Sequence, residues 1–125
     1  VASEPGRVLI VDDEPPVATM LKEAASMLGY AVQLAGTGLD ALGIVPEFRP
    51  DVVLLDMTLP DISGEIVLER LKGGNPHLPV VMITGITDPD LGRRVLAQGA
   101  FDYIAKPFKL DRLAQVLEAA ITCRP

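Results

Sequence analysis

Four short apolar runs punctuate the chain: RVLIV at 7–11, VVLLD at 52–56, PVVMIT at 79–84 and FDYIA at 101–105. Three of them lack strict polar alternation, which predicts parallel strands covered on both faces. A weaker run, AVQLA at 31–35, does alternate and predicts an edge strand. Between the runs the apolar period lengthens to that of a helix. Residues 16–28 place Val17, Met20, Leu21, Ala24 and Leu28 near one face, with Pro15 and Pro16 in the first turn and Gly29 as the stop. Residues 38–45 predict a short helix, or a turn and helix, ended by Pro46. Residues 63–72 begin at Ser63, an N-cap residue, and stop before Gly73-Gly74. Residues 88–98 run from Asp88 and Pro89 to Gly99, and residues 110–121 carry Leu110, Leu113, Val116, Leu117 and Ala120 on one stripe.

Strands alternating with helices through short connections predict an α/β fold. Right-handed crossovers then place five helices on both faces of a five-stranded parallel sheet. With 125 residues there is room for one domain, and no repeat, low-complexity tract or long linker divides it.

Composition narrows the function. Seventeen acidic against eleven basic residues give a net charge of -6, which argues against nucleic acid or an anionic membrane as the main partner. Trp is absent and only three Phe and two Tyr occur, so the core rests on Val, Leu, Ile and Ala. Cys123 is the only cysteine, which excludes an internal disulfide and fits a reducing cytoplasm. No run reaches transmembrane length and the N-terminus lacks a signal peptide's pattern. The chain begins with Val1, as a piece excised or processed from a longer protein would.

The chemistry-bearing residues follow the C-terminal ends of predicted strands. The first strand runs into Asp12-Asp13, the third ends at Asp56, the fourth at Thr84 followed by Gly85, and the fifth leads to Lys106-Pro107. In an open α/β sheet that edge is where ligands bind. Three carboxylates crowded there repel one another, and a hard divalent cation such as Mg²⁺, with Mn²⁺ as a substitute, offsets that cost with oxygen ligands. Asp56, apart from the acidic pair, can then act as a nucleophile on phosphorus, giving an aspartyl phosphate. Lys106 and the cation would clamp the equatorial oxygens, and Thr84 would offer a hydroxyl. Each residue alone has a plainer reading. The Asp pair reads as a turn and helix cap, Asp56 as a turn residue, Thr84 as structural and Lys106 as a surface charge. Joint placement at one edge is what favours the site.

These motifs, VDDE at 11–14, DMTLPDISG at 56–64, MITG at 82–85 and YIAKPF at 103–108, resemble those of the response-regulator receiver domain of two-component signalling, the CheY-like superfamily, over almost the whole length. The resemblance implies a flavodoxin-like fold with strand order 2-1-3-4-5, an order that belongs to that family and is not read from the pattern here. It implies that Asp12 and Asp13 bind Mg²⁺ together with Asp56 and the Thr58 backbone carbonyl, and that Asp56 accepts the phosphoryl group. Thr84 would close on the phosphate, Lys106 would pair with it, and Tyr103 would turn inward as the switch aromatic. The Lys106-Pro107 bond would be cis. Thr58 and Ile86 occupy places that tune hydrolysis, and Ile86 is expected to slow it by shielding the phosphoryl group from water. Pro60, Gly64 and Gly85 are expected in hinge or close-packing roles. The phosphodonor would be a sensor histidine kinase or a histidine phosphotransfer protein, and the output an effector domain or protein.

On residues alone, Tyr103 also reads as edge packing with its hydroxyl at the surface. AGTG at 35–38 follows a strand but completes neither a dinucleotide nor a P-loop fingerprint. His77, in the polar loop GGNPHLP, is expected to be exposed, so a phosphodonor histidine must come from elsewhere. Arg93 and Arg94 read as contacts on an output face over 88–121, which could support phosphorylation-dependent homodimers, or as solvated helix charge. Two other functions fit less well. A non-catalytic interaction module would not need the full set of acids, Thr and Lys. An aspartyl-nucleophile phosphohydrolase would need a nearby acid–base group, and Asp61 has no obvious reach to Asp56.

Overall fold

The computed structural model describes residues 6–85 and 89–122. Five strands alternate with five helices: β1 (Arg7–Val11), α1 (Pro15–Met27), β2 (Ala31–Ala35), α2 (Gly38–Phe48), β3 (Val52–Asp56), α3 (Gly64–Gly74), β4 (Val80–Thr84), α4 (Pro89–Ala97), β5 (Asp102–Ala105) and α5 (Leu110–Thr122). The strands form one parallel sheet in the order β2-β1-β3-β4-β5. The expected α/β architecture and the edge position of β2 are therefore observed.

Period-2 alternation divides the core between the two faces. Leu9, Val11, Val53, Leu55, Val80 and Met82 pack with Ala41, Val67, Leu68, Leu71, Leu91 and Val95 from α2, α3 and α4. Val8, Ile10, Val52, Leu54, Val81 and Ile83 pack with Leu21 and Ala25 of α1 and Leu113, Val116, Leu117 and Ala120 of α5. Both faces of β1, β3 and β4 are covered, which is why these runs read as continuously apolar. Each fully buried Val, Leu or Ile contributes roughly 1.5–3 kcal/mol.

Several local expectations are corrected. In α1 the buried stripe is Ala18, Leu21 and Ala25, with Val17 and Ala24 at its flank. Met20 and Leu28 are exposed. The helix presents Leu21 between two alanines to the sheet, and Met20, Met27 and Leu28 turn outward. Pro15 and Pro16 occupy its first two positions, and Glu14 caps it without a side-chain bond. Two of the usual orphan N–H groups are absent there, so little is left to cap.

The second helix does not end at Pro46 but continues to Phe48. An interior proline costs about 3 kcal/mol, yet Leu42, Ile44, Val45 and Phe48 all pack on the core across it. Arg7 then closes the helix. Its guanidinium donates to the Phe48 carbonyl at 2.9 Å and lies 5.9 Å from the Phe48 ring centre. Positive charge at a helix C-terminus is favourable.

The third helix likewise runs through Gly73 and Gly74 to an Asn75 cap. Burial of Leu68 and Leu71 anchors its last turns, which offsets about 1 kcal/mol per glycine. Leu110 is exposed and lies off the α5 stripe. Gly29 and Gly99, the predicted helix stops, hold φ of 96° and 105°, a region glycine enters without strain. The expected cap at Asp88, the role of Ile86 and the position of Cys123 lie outside the described residues.

Candidate functional site

Parallel register brings the site together. Val11 pairs with Leu55, so Asp12 and Asp56 follow side by side at the C-terminal ends of β1 and β3. Asp56 pairs with Ile83 and Thr84 with Ala105. Thr84 and Lys106 therefore lie at the same rim. Alternation fixes the direction of each side chain. Asp12, Asp56 and Lys106 continue the register of Ile10, Leu54 and Ile104, which belong to the face covered by α1 and α5. Thr84 continues the register of Met82 and starts on the other face.

Three carboxylates meet there. Oxygens of Asp12, Asp13 and Asp56 lie within 4.8 Å of one another. Asp12 and Asp56 are buried, and Asp13 is exposed. The Lys106 Nζ sits 3.4 Å from Asp12 Oδ2 and 3.4 Å from Asp56 Oδ2, with Glu14 Oε1 at 4.0 Å. One ammonium thus faces three acids. Asp12 Oδ1 accepts the Glu14 N–H at 2.9 Å, and Asp56 Oδ1 accepts the Thr58 N–H at 3.1 Å. Among the described residues, no buried side-chain nitrogen or oxygen lacks a partner.

Burial raises the Asp56 pKa. The Thr58 N–H and the Lys106 charge oppose that rise, and Asp12 adds to it. Burial also works against the Lys106 ammonium, but Asp56 and then Asp12 outweigh it and hold its pKa above the ordinary value. A carboxylate kept basic by burial and steadied by one cation is suited to nucleophilic attack. The oxygen-only donor set of Asp12, Asp13 and Asp56 fits a hard divalent cation.

The remaining predicted residues surround this cluster. Thr84 is buried at the rim, and its carbonyl accepts the Lys106 N–H at 2.7 Å. The Lys106-Pro107 peptide is cis. Thr58 and Pro60 lie exposed on the loop between β3 and α3. Gly64 is buried where that loop meets the strand. A Cβ there would collide with the Asp56 carbonyl and come 2.8 Å from Met57 Cα, so only glycine fits without a shift. A Cβ at Gly85 would meet nothing within 4 Å. Tyr103 is 38% exposed and its ring lies over Gly92 of α4, where an added Cβ would be 2.6 Å from the ring. His77 is exposed, in the connection between α3 and β4.

The fold and this geometry agree with one sequence family. Residues 8–118 match the Response regulator receiver domain. The chain belongs to that family. Among curated proteins, this receiver domain is 39% identical over 118 residues to the probable transcriptional regulatory protein TcrX of Mycobacterium tuberculosis, covering 94% of the chain and 50% of TcrX. It is 36% identical over 115 residues to the regulatory protein AtoC of Escherichia coli, covering 92% of the chain and 25% of AtoC. The chain therefore spans half or less of these two relatives. Among solved structures, it resembles the receiver domain of NtrX from Brucella abortus with a TM-score of 0.89 at 34% identity, covering 93% of this chain and 98% of that one. A CheY-like receiver protein from Methanospirillum hungatei JF-1 matches with a TM-score of 0.89 at 28% identity and 94% coverage of both chains.

Sequence reasoning missed two features of the receiver domain. Asp61, set aside for lack of reach, accepts the Gly38 N–H and the Leu39 N–H, each at 2.9 Å, at the start of α2. The Leu39 N–H, and after it the Gly38 N–H, outweigh burial and hold the Asp61 carboxyl below the usual carboxylate range. No local signal could reveal a partner 22 residues away. The Thr37-x-x-Asp40 capping pattern could have located the helix start, and Thr37 Oγ1 does accept the Asp40 N–H at 3.0 Å. The second feature is the pairing of Arg94 on α4 with Glu65 on α3, with Nε to Oε1 at 2.6 Å and Nη2 to Oε2 at 3.3 Å. Arg93 pairs with Asp90 in full solvent. Among the described residues no helix is long and apolar enough to cross a membrane.

Proposed function

We propose that this receiver domain is a phosphorylation-controlled switch that accepts a phosphoryl group on Asp56 from the phosphohistidine of a sensor histidine kinase or phosphotransfer protein. The observation that carries this reading is the convergence of Asp12, Asp13, Asp56 and Lys106 at one sheet rim, from segments up to 94 residues apart. An Asp56 carboxylate oxygen attacks phosphorus, the P–N bond to the donor imidazole breaks, and its electron pair leaves on the ring nitrogen, which takes up a proton. No base is needed, because an ionised carboxylate has no proton to lose. Asp12, Asp13, Asp56 and the Thr58 carbonyl would hold Mg²⁺, which supplies charge stabilisation to the phosphoryl oxygens. Lys106 offers a positive charge held 3.4 Å from an Asp56 oxygen, and Thr84 would offer a hydroxyl donor.

Phosphorylation would then draw Thr84 toward the phosphoryl group and let Tyr103 leave its place over Gly92, altering the α4–β5–α5 face that an effector or a second receiver reads. Thr58 and Ile86 would set the rate at which water removes the phosphoryl group. The chain would serve as the receiver part of a longer cytoplasmic regulator. Asp61 does not support a phosphohydrolase, since both its oxygens are engaged by the start of α2.

Incubation with Mg²⁺ and acetyl phosphate tests the reading. The expected product is a base-labile adduct of one phosphoryl group, lost in Asp56→Asn. Absence of any adduct in the wild type would favour a plain interaction module, and rapid multiple turnover without an adduct would favour a phosphohydrolase.

A further inference from the structure

The loop from Met57 to Ser63 follows Asp56 and bears the Thr58 carbonyl; the Met57 N–H donates to the Ile83 carbonyl at 3.0 Å, and Leu59 and Ile62 pack against the core. The Gly64 N–H donates to the Met57 carbonyl at 3.0 Å and closes its base. The Thr58 N–H is fixed to Asp56. Thr58, Pro60 and Asp61 are exposed, and among the described residues no hydrogen bond reaches the Thr58 carbonyl. The outer half of the loop is also fastened to α2. Asp61 spans two orphan N–H groups of that helix with one oxygen on each, at 2.9 Å. Thr37, the helix's own cap, takes the third at 3.0 Å. Beneath the carboxylate, Ile62 packs where a Cβ on Gly38 would come within 2.7 Å of it.

This division of the cap is physically informative. Thr37 serves α2 alone, and its loss loosens one helix end. Asp61 serves α2 and the loop at once, because its carboxylate stands on one and its bonds end on the other. Charge-assisted bonds of this kind are stronger than neutral ones, and the helix dipole adds to them. A flexible ligand-bearing loop loses conformational freedom when it binds a cation, and a loop already fastened loses less.

We propose that Asp61 is a positioning residue for the divalent cation: by clamping the loop to the N-terminus of α2 it holds the Thr58 carbonyl where the cation needs it. The inference rests on the metal-dependent reading given above. Its test measures binding directly, through Mn²⁺ electron paramagnetic resonance and Mg²⁺ competition on the full chain at fixed ionic strength. Asp61→Ala is expected to weaken cation affinity by about tenfold, within the range for residues that orient metal ligands. Asp61→Asn, which keeps one acceptor, is expected to fall between Ala and wild type. Thr37→Ala, which frays the same helix end without touching the loop, is expected to stay within about twofold of wild type. Circular dichroism melts identify the folded variants, and Asp61→Asn serves if Asp61→Ala does not fold.

Unchanged affinity in Asp61→Ala, or in Asp61→Asn if that variant alone folds, would overturn the proposal. So would a Thr37→Ala loss as large as that of the Asp61 variant. Asp13→Asn separates the underlying reading. If the wild type binds the cation and Asp13→Asn does not, the site stands whatever Asp61 does. If the wild type binds none, the site and the clamp fall together.

Discussion

Replacing Lys106 with methionine keeps the length of the stem and removes the ammonium that faces Asp12 and Asp56. At 3.4 Å and an effective dielectric of about 20, each of the two ion pairs attracts by roughly 5 kcal/mol. The variant does not lose that sum, because Asp56 can take up a proton in place of its lost partner. Protonating a carboxylate of ordinary pKa at neutral pH costs about 4 kcal/mol, from about 1.4 kcal/mol per pH unit. Asp56 already has a raised pKa through burial, so its proton costs less. The expected destabilisation is therefore about 2–4 kcal/mol at neutral pH in the presence of chelator, at or somewhat below the roughly 3–5 kcal/mol for removing one partner of a buried ion pair. Urea denaturation followed by circular dichroism measures it. The loss should narrow as the pH falls through the raised pKa of Asp56, since a neutral Asp56 leaves one buried carboxylate, Asp12, without its partner in place of two. It should also narrow in millimolar Mg²⁺, which compensates the same acids. A loss within the roughly 0–1 kcal/mol of an exposed ion pair, unaffected by Mg²⁺, would refute the reasoning.

Gly64→Ala forces a Cβ into the backbone of Asp56 and Met57, which cannot rotate away. Unfolding free energy should drop by about 1–3 kcal/mol and phosphorylation by acetyl phosphate should slow, whereas a fully stable variant would show that the loop yields freely. Gly92→Ala should displace the Tyr103 ring from α4, visible as changed ring chemical shifts, at little net stability cost because helix propensity gains about 1 kcal/mol. Asp61 is held ionised below the usual range, so its contribution is present above the ordinary carboxylate pKa and lost as the pH falls through its lowered folded value. Melting curves across acidic pH should show the wild-type advantage over Asp61→Asn vanish in that window, and a constant difference would contradict it.

The apolar runs and their spacing determined the alternation of strands and helices, the burial of β1, β3 and β4 and the edge position of β2, because two-sided cover removes the polar alternation from a strand. They also placed Asp12, Asp13, Asp56, Thr84 and Lys106 at strand ends, where a parallel sheet gathers them. Local signals failed where packing outweighed them. Pro46 and Gly73-Gly74 look like stops, yet Phe48, Leu68 and Leu71 hold their helices on the core. Met20 and Leu110 have the right period and still face water, since periodicity gives a face but not its centre. Only the tertiary structure decided that one ammonium is shared between two buried acids, that Gly92 receives Tyr103, and that Asp61 clamps a helix 22 residues earlier. Contacts of that kind depend on which elements the sheet order makes neighbours, and no local pattern in a single chain encodes the distance between two such elements.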